Sequence, residues 1–313
     1  METGRRPVRF ILATLIALLA ASAALDVYAN AQAQPVSTTS ETSTGASTSV
    51  APMASLPTRD AATLAAAVQQ LVNASGATVG ISLVELGGSQ PLSWSLDGGA
   101  LFTAASTYKL VALMLEAQNV ASGKADPNGI LNFQASDYED GWFSDYVDDA
   151  AFTRITIATR AGQQSDNTAG HILVRDVGGA AALNAWAAAA GATSSSFFDG
   201  NTTSAADLAA LWVAEADGKL GGATAQAWLY PLLTRTAYEA GIPAGLPAGI
   251  TVVHKTGALD LTEDDAALVI GGASGAYVLT VMTDGLDETA GPALIAAISR
   301  AVWQFESART AVA

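Results

Sequence analysis

Strand-like runs lie at the two ends of this chain and are almost missing from its middle. The segment ATVGISLVEL, residues 77–86, alternates toward β-branched residues, and GGSQPLSWSLDGGALFT offers a hairpin partner between glycine-marked turns. The remaining runs, ITVVHKTGAL, AALVIGGA and YVLTVMTDG, all follow the breaker segment GIPAGLPAG. Between these groups, residues 104–242 read as mostly helical. Two amphipathic helices flank the strands, in DAATLAAAVQQLVNASG near the start and ETAGPALIAAISRAVWQFESA at the end. Strands need partners, so the ends of the chain must meet. The expected fold is α+β with three layers: an antiparallel sheet built from both chain ends, flanked by helices, plus a central helical subdomain.

The N-terminus adds two segments that this core does not use. Arg5, Arg6 and Arg9 precede the apolar run FILATLIALLAASAAL, and small residues follow, which is the order of a secretory signal cleaved after Ala29 or Ala33. A retained anchor is the rival reading, because the apolar stretch approaches the ~18-residue lower limit for spanning a bilayer. Residues 34–58 are rich in Ser, Thr and Pro without apolar periodicity and read as a flexible tether. The expected organisation is therefore a signal at 1–33, a tether at 34–58 and a catalytic domain at 59–313. Its sheet part is about 59–103 with 243–313, and its helical part about 104–242. Such a chain is exported, to the periplasm, the cell envelope or the medium, and keeps no stable membrane span once the signal is removed.

Composition narrows the chemistry. Fourteen basic against 29 acidic side chains give a formal charge of -15, which disfavours nucleic acid as a partner. No cysteine is present, so disulfides, thiolate metal sites and a cysteine nucleophile are excluded, and two histidines are too few for most metal cages. His171 and His254 read as structural. No metal and no cofactor is expected.

Three short motifs carry the remaining chemistry. Ser106 and Lys109 stand three apart at the start of a helix, on one face, so the amine can reach the hydroxyl. A serine attacks only when a base takes its proton, and an amine is such a base only where burial or another cation lowers its pKa. Ser165, Asp166 and Asn167 open a second helix, and Lys255, Thr256 and Gly257 lie on a strand. Taken singly, each is an ordinary helix cap, turn or strand end. Taken in order they are S-x-x-K, S-D-N and K-T-G, and they use two of the four lysines in the chain.

In this order and spacing the motifs resemble the penicillin-recognising serine hydrolases, most nearly the class A β-lactamases, from about Asp60 to Glu306. The resemblance implies a β-lactamase/transpeptidase-like fold, a monomer, and a small-molecule β-lactam or cell-wall peptide as substrate. It implies Ser106 as the nucleophile, Lys109 as its base, and Ser165 as the group returning a proton to the leaving nitrogen. Asn167 would bind the substrate's amide, and Lys255, Thr256 and Gly257 its carboxylate side. The oxyanion would lie between the backbone N–H groups of Ser106 and Ala258, with Asp166 structural.

The pattern is incomplete in two places. Class A β-lactamases carry a loop glutamate that activates the deacylating water, whereas GATSSSFFDGNTTSA holds no glutamate and only Asp199 as a carboxylate. Asp199 could be the base or simply part of an Asp-Gly turn. No extra arginine for carboxylate binding is found near K-T-G. Three functions stay open: a β-lactamase with slow deacylation, a D-Ala-D-Ala peptidase or esterase of the same fold, and a non-catalytic envelope binding protein. Trp142, in DYEDGWFSDYVDD, is placed either at the cleft entrance or in local packing.

Overall fold

The computed structural model describes residues 61–309 apart from 89, 273 and 274. The signal and the tether fall outside the described residues. Helix α1 (Ala61–Ser75) leads into β1 (Thr78–Glu85), β2 (Ser93–Leu96) and β3 (Phe102–Thr103). A 3-10 turn at Ala105–Thr107 runs into α2 (Tyr108–Ala121), followed by β4 (Ile130–Asn132), β5 (Ala151–Thr153), α3 (Arg154–Gln163) and α4 (Asn167–Asp176). Then come α5 (Gly179–Ala190), β6 (Thr202–Thr203), α6 (Ala205–Ala216) and α7 (Gly222–Leu229). Strands β7 (Thr251–Leu259), β8 (Thr262–Ile270) and β9 (Tyr277–Asp284) precede α8 (Ala290–Ala308).

The five main strands form one antiparallel sheet in the order β2-β1-β9-β8-β7. The first strand thus pairs with the last, Ile81 opposite Val281, and the two ends of the chain do share one sheet. Both faces are buried, which explains the long apolar runs. Ile81, Leu83, Val252, Leu279 and Val281 pack with Leu64 and Val68 of α1 and Ile295, Ile298 and Val302 of α8. Alternate residues, Val253, Leu268, Val278 and Met282, join the core of the helical part around α2. Helix α2 is buried from Tyr108 to Ala117, as its almost uninterrupted apolar sequence requires. Among the described residues no helix is long and apolar enough to cross a membrane.

Strand β8 differs from its expected extent. It begins at Thr262 and includes the charged run Glu263, Asp264 and Asp265, ahead of the apolar AALVI. The cause is the tight link to β7: Leu259 pairs with Thr262, leaving a two-residue turn in which Asp260 takes a positive φ of 54°. Continued pairing then draws the three acids into the ladder opposite Ala258, Gly257 and Thr256.

Candidate active site

The three motifs converge from three elements. Ser106 lies in the 3-10 turn ahead of α2, behind Ala105, whose φ of 43° is unusual for a residue with a side chain. Ser165 is likewise left-handed, at 56°, just before the N-terminus of α4. Such positions cost ~1–3 kcal/mol and persist where surrounding packing enforces them. Part of that packing comes from Gly257. A Cβ there would fall 2.9 Å from the Ala104 carbonyl oxygen and 3.2 Å from the Ala105 Cβ, so the glycine lets β7 close against the Ser106 turn.

Lys109 joins two of the motifs. Its Nζ donates to Ser106 Oγ at 2.7 Å and to Asn167 Oδ1 at 2.6 Å. The lysine is completely buried, and desolvation lowers its pKa to about 8 although the Glu139 and Asp166 carboxylates act in the opposite direction. Gly170, one turn into α4, allows this burial: a Cβ there would lie 2.7 Å from the Lys109 Cε. Lys255 Nζ donates to Ser165 Oγ and to the Thr256 carbonyl, each at 2.8 Å. Its pKa is driven well below the ordinary lysine value, by burial first and the Lys109 charge second. Asp166 caps α4, accepting from the Ala169 N–H and the Tyr146 hydroxyl at 2.8 Å each.

One participant was missed in the sequence. Glu139 comes from the loop after Asp137, and its Oε1 accepts from Asn167 Nδ2 at 2.6 Å, while Oε2 lies 3.3 Å from His171 Nε2. A chain of contacts therefore runs from Glu139 through Asn167 and Lys109 to Ser106. No local pattern reveals it, because the partners are 28 residues apart, with β5 and α3 between them. His254 turns away from Lys255 onto the other face of β7. There its Nδ1 meets Asp265 Oδ1 at 2.9 Å and its Nε2 meets Glu239 Oε1 at 3.1 Å. Burial opposes its charge, but the two carboxylates prevail and raise the imidazole to about 9.

Ser106, Ser165, Asn167, Thr256 and Ala258 line one cavity of about 610 Å³. Trp142 and Tyr238, both exposed, also line it and pack edge-to-face with centroids 6.5 Å apart, so Trp142 both borders the cavity and packs locally. Asp199 instead lines a different cavity, with His171 and Arg175. The neighbouring Phe198 packs edge-on against Tyr108 and His171, at 5.3 and 5.1 Å. Glu215 is buried within α6 and accepts from the Tyr230 hydroxyl, away from this cavity.

A family model described as "Beta-lactamase enzyme family" matches residues 63–305. No curated protein matches the chain. Among solved structures, a leucine-to-glutamate mutant of PBP-A, an acyl-enzyme complex with penicillin-G, is 28% identical with a TM-score of 0.73, over 80% of this chain and 98% of that one. A β-lactamase from Sphaerobacter thermophilus is 26% identical with a TM-score of 0.69, over 78% and 97%. An ancestral class A β-lactamase, 24% identical with a TM-score of 0.70 over 77% and 99%, shares the fold.

Proposed function

The chain belongs to the beta-lactamase enzyme family, and from that premise we propose that it opens β-lactam amide bonds through an acyl-Ser106 intermediate that deacylates slowly. The observation that carries this reading is the placement of Lys109 Nζ between Ser106 Oγ and Asn167 Oδ1, with Lys255 on Ser165. In its neutral form Lys109 takes the Ser106 proton as Oγ bonds to the carbonyl carbon. The oxyanion is received by the N–H groups of Ser106 and Ala258, each such donor being worth ~3 kcal/mol. Ser165 then gives its proton to the departing nitrogen as the C–N bond breaks, and the proton that Lys109 took from Ser106 returns to the Ser165 oxygen, which Lys255 holds. Thr256, Gly257 and Lys255 hold the carboxylate side of the substrate, and Asn167 its amide.

Intact mass after incubation with a penicillin tests the proposal. A stoichiometric adduct with slow turnover of a chromogenic cephalosporin is expected, and absence of both would overturn it. Slow deacylation is supported by the loop from 191 to 204, where Phe198 rather than a carboxylate packs beside Tyr108. General-base help of this kind is typically worth ~10²–10⁴ in rate. The same feature favours a second reading, a D-Ala-D-Ala peptidase, which release of D-alanine from a stem peptide would reveal. The N-terminal segment supports an exported enzyme.

Two further outcomes follow from Lys109. Acylation should increase with pH through about 8, as the amine loses its proton, and Glu139→Gln should move that midpoint downward because a charge that keeps the ammonium protonated is removed. A pH series of adduct formation rates checks both. Gly170→Ala should slow acylation roughly 10²-fold by displacing Lys109, with secondary structure unchanged by circular dichroism.

A further inference from the structure

The cavity that holds Ser106 continues past β7 into an acidic arm. Six carboxylates line the whole cavity, from Asp140, Glu239, Glu263, Asp264, Asp265 and Glu288, and no lysine, arginine or histidine does. Four of the six are already engaged, Asp140 by the Tyr138 hydroxyl and Asp264, through Oδ1, by the Thr283 N–H. Glu239 and Asp265 hold His254, and Asp265 Oδ2 also accepts from the Ile242 N–H at 2.8 Å. Glu263 is only 7% exposed, yet its carboxylate has no hydrogen bond or ion pair among the described residues. On the next residue, the buried Oδ2 of Asp264 is also without a partner. Glu288, at the opposite side of the arm ahead of α8, is exposed and unpaired among the described residues.

This arrangement is built into the packing. A Cβ on Gly291 would collide with Cβ and Cγ of Glu263, so the first turn of α8 keeps room for the glutamate stem. The N-terminus of α8 does not supply the missing positive charge to Glu263, since Asp287 Oδ1 already accepts from its first N–H groups, of Thr289 and Ala290. Burial, with the Glu288 and Asp287 charges added, raises the Glu263 carboxyl to about 7, the behaviour of an acid without a counter-ion.

The geometry points to this arm, centred on Glu263 and Glu288, as a subsite for a cationic substituent of the substrate, an ammonium, pyridinium or amidinium group; the assignment rests on the serine-hydrolase reading of Ser106. Glu263 is the register partner of Ala258, the proposed oxyanion donor, and both line the same cavity. Strand β7 is the edge of the sheet, so a substrate bound along its free edge reaches Glu263 by passing its substituent around that strand within this cavity. A cation there neutralises Glu263 and Glu288, whereas a neutral substituent leaves both without a partner.

Two cephalosporins that differ only at the 3-substituent, one with a neutral acetoxymethyl group and one with a pyridiniummethyl group, test this. Their equilibrium binding to full-length Ser106→Ala, which cannot be acylated, isolates the subsite from the chemistry. The pyridinium compound is expected to bind roughly tenfold more tightly at low ionic strength, as one partly desolvated charge contact provides. That preference should fall in Glu263→Gln and in Glu288→Gln, and vanish in the double variant, with affinity for the neutral compound unchanged. Equal affinities, or no binding of either compound, overturn the subsite. A wild-type protein that acylates with neither compound argues against the hydrolase reading alone.

Discussion

Ser106→Ala is expected to eliminate the penicillin adduct and lower any β-lactam turnover roughly 10⁴–10⁶-fold, the loss typical of a deleted nucleophile. The protein should stay folded. Ser106 Oγ receives one hydrogen bond, from Lys109, which retains Asn167 Oδ1 as its other acceptor, so truncation strands no buried charge. Intact mass reads the adduct and a thermal melt reads the fold. An adduct persisting on the alanine variant would place the nucleophile elsewhere, and Ser165, the other motif hydroxyl in the cavity, would be the first position to map.

The second large effect concerns stability. Arg154, at the start of α3, donates through Nη1 to both carboxylate oxygens of Glu116, at 2.8 and 2.7 Å, and also to Asp176, while its Nε donates to the Asp126 carbonyl. Glu116 is fully buried in α2, the helix that carries Lys109. Arg154→Ala removes the guanidinium that pairs with this buried group and leaves it facing only the acidic Asp176, a change that typically costs ~3–5 kcal/mol. For a domain of this size the midpoint of melting should fall by about 10 °C. The penalty should also depend on pH in a defined direction. Burial, aided by Asp176, raises Glu116 from 4.5 to about 8. Between those values the folded state binds more protons than the unfolded one, so stability falls as pH rises. Without Arg154 the Glu116 carboxyl shifts still higher, and the deficit measured in urea should be greater at pH 8 than at pH 5. Adding Glu116→Gln to Arg154→Ala should recover part of it, since an amide carries no charge to bury.

Much of this was legible in the sequence, for physical reasons that differ from element to element. Strands such as β1 and β9 announce themselves through β-branched residues, and their positions at opposite ends of the chain force a shared sheet. Ser106, Lys109, Ser165, Asn167 and Lys255 stand out because rare residue types recur in a fixed order, and the structure brings all five together. What stayed hidden depends on approach distances and backbone angles. Gly170 looks like a weak spot in a helix until the Lys109 side chain is found against it. Ala105 gives no sign of its left-handed backbone. The run TEDD lies outside the strand expected from AALVIGGA, yet pairing with β7 draws it into the sheet and buries Glu263, Asp264 and Asp265. Asp199, the only acid in the short loop, was open to two readings, a weak candidate for a base or part of an Asp-Gly turn, and the loop carries it to the cavity lined by His171 and Arg175.

The joining of β1 to β9 also determines when the protein can become reactive. Ser82 and Thr280, in contact across that pair, are 198 residues apart in sequence. The turn ahead of α2 that carries Ser106 is made early in synthesis, but the strand that seats Gly257 against that turn is held through β8 and β9 to β1. Contacts this distant in sequence form slowly. A chain still being synthesised, or cut short before β9, therefore has both serines without β7 seated beside them. On the proposed function, the same long-range pairing that slows folding would keep the Ser106 hydroxyl from being acylated before the domain is complete.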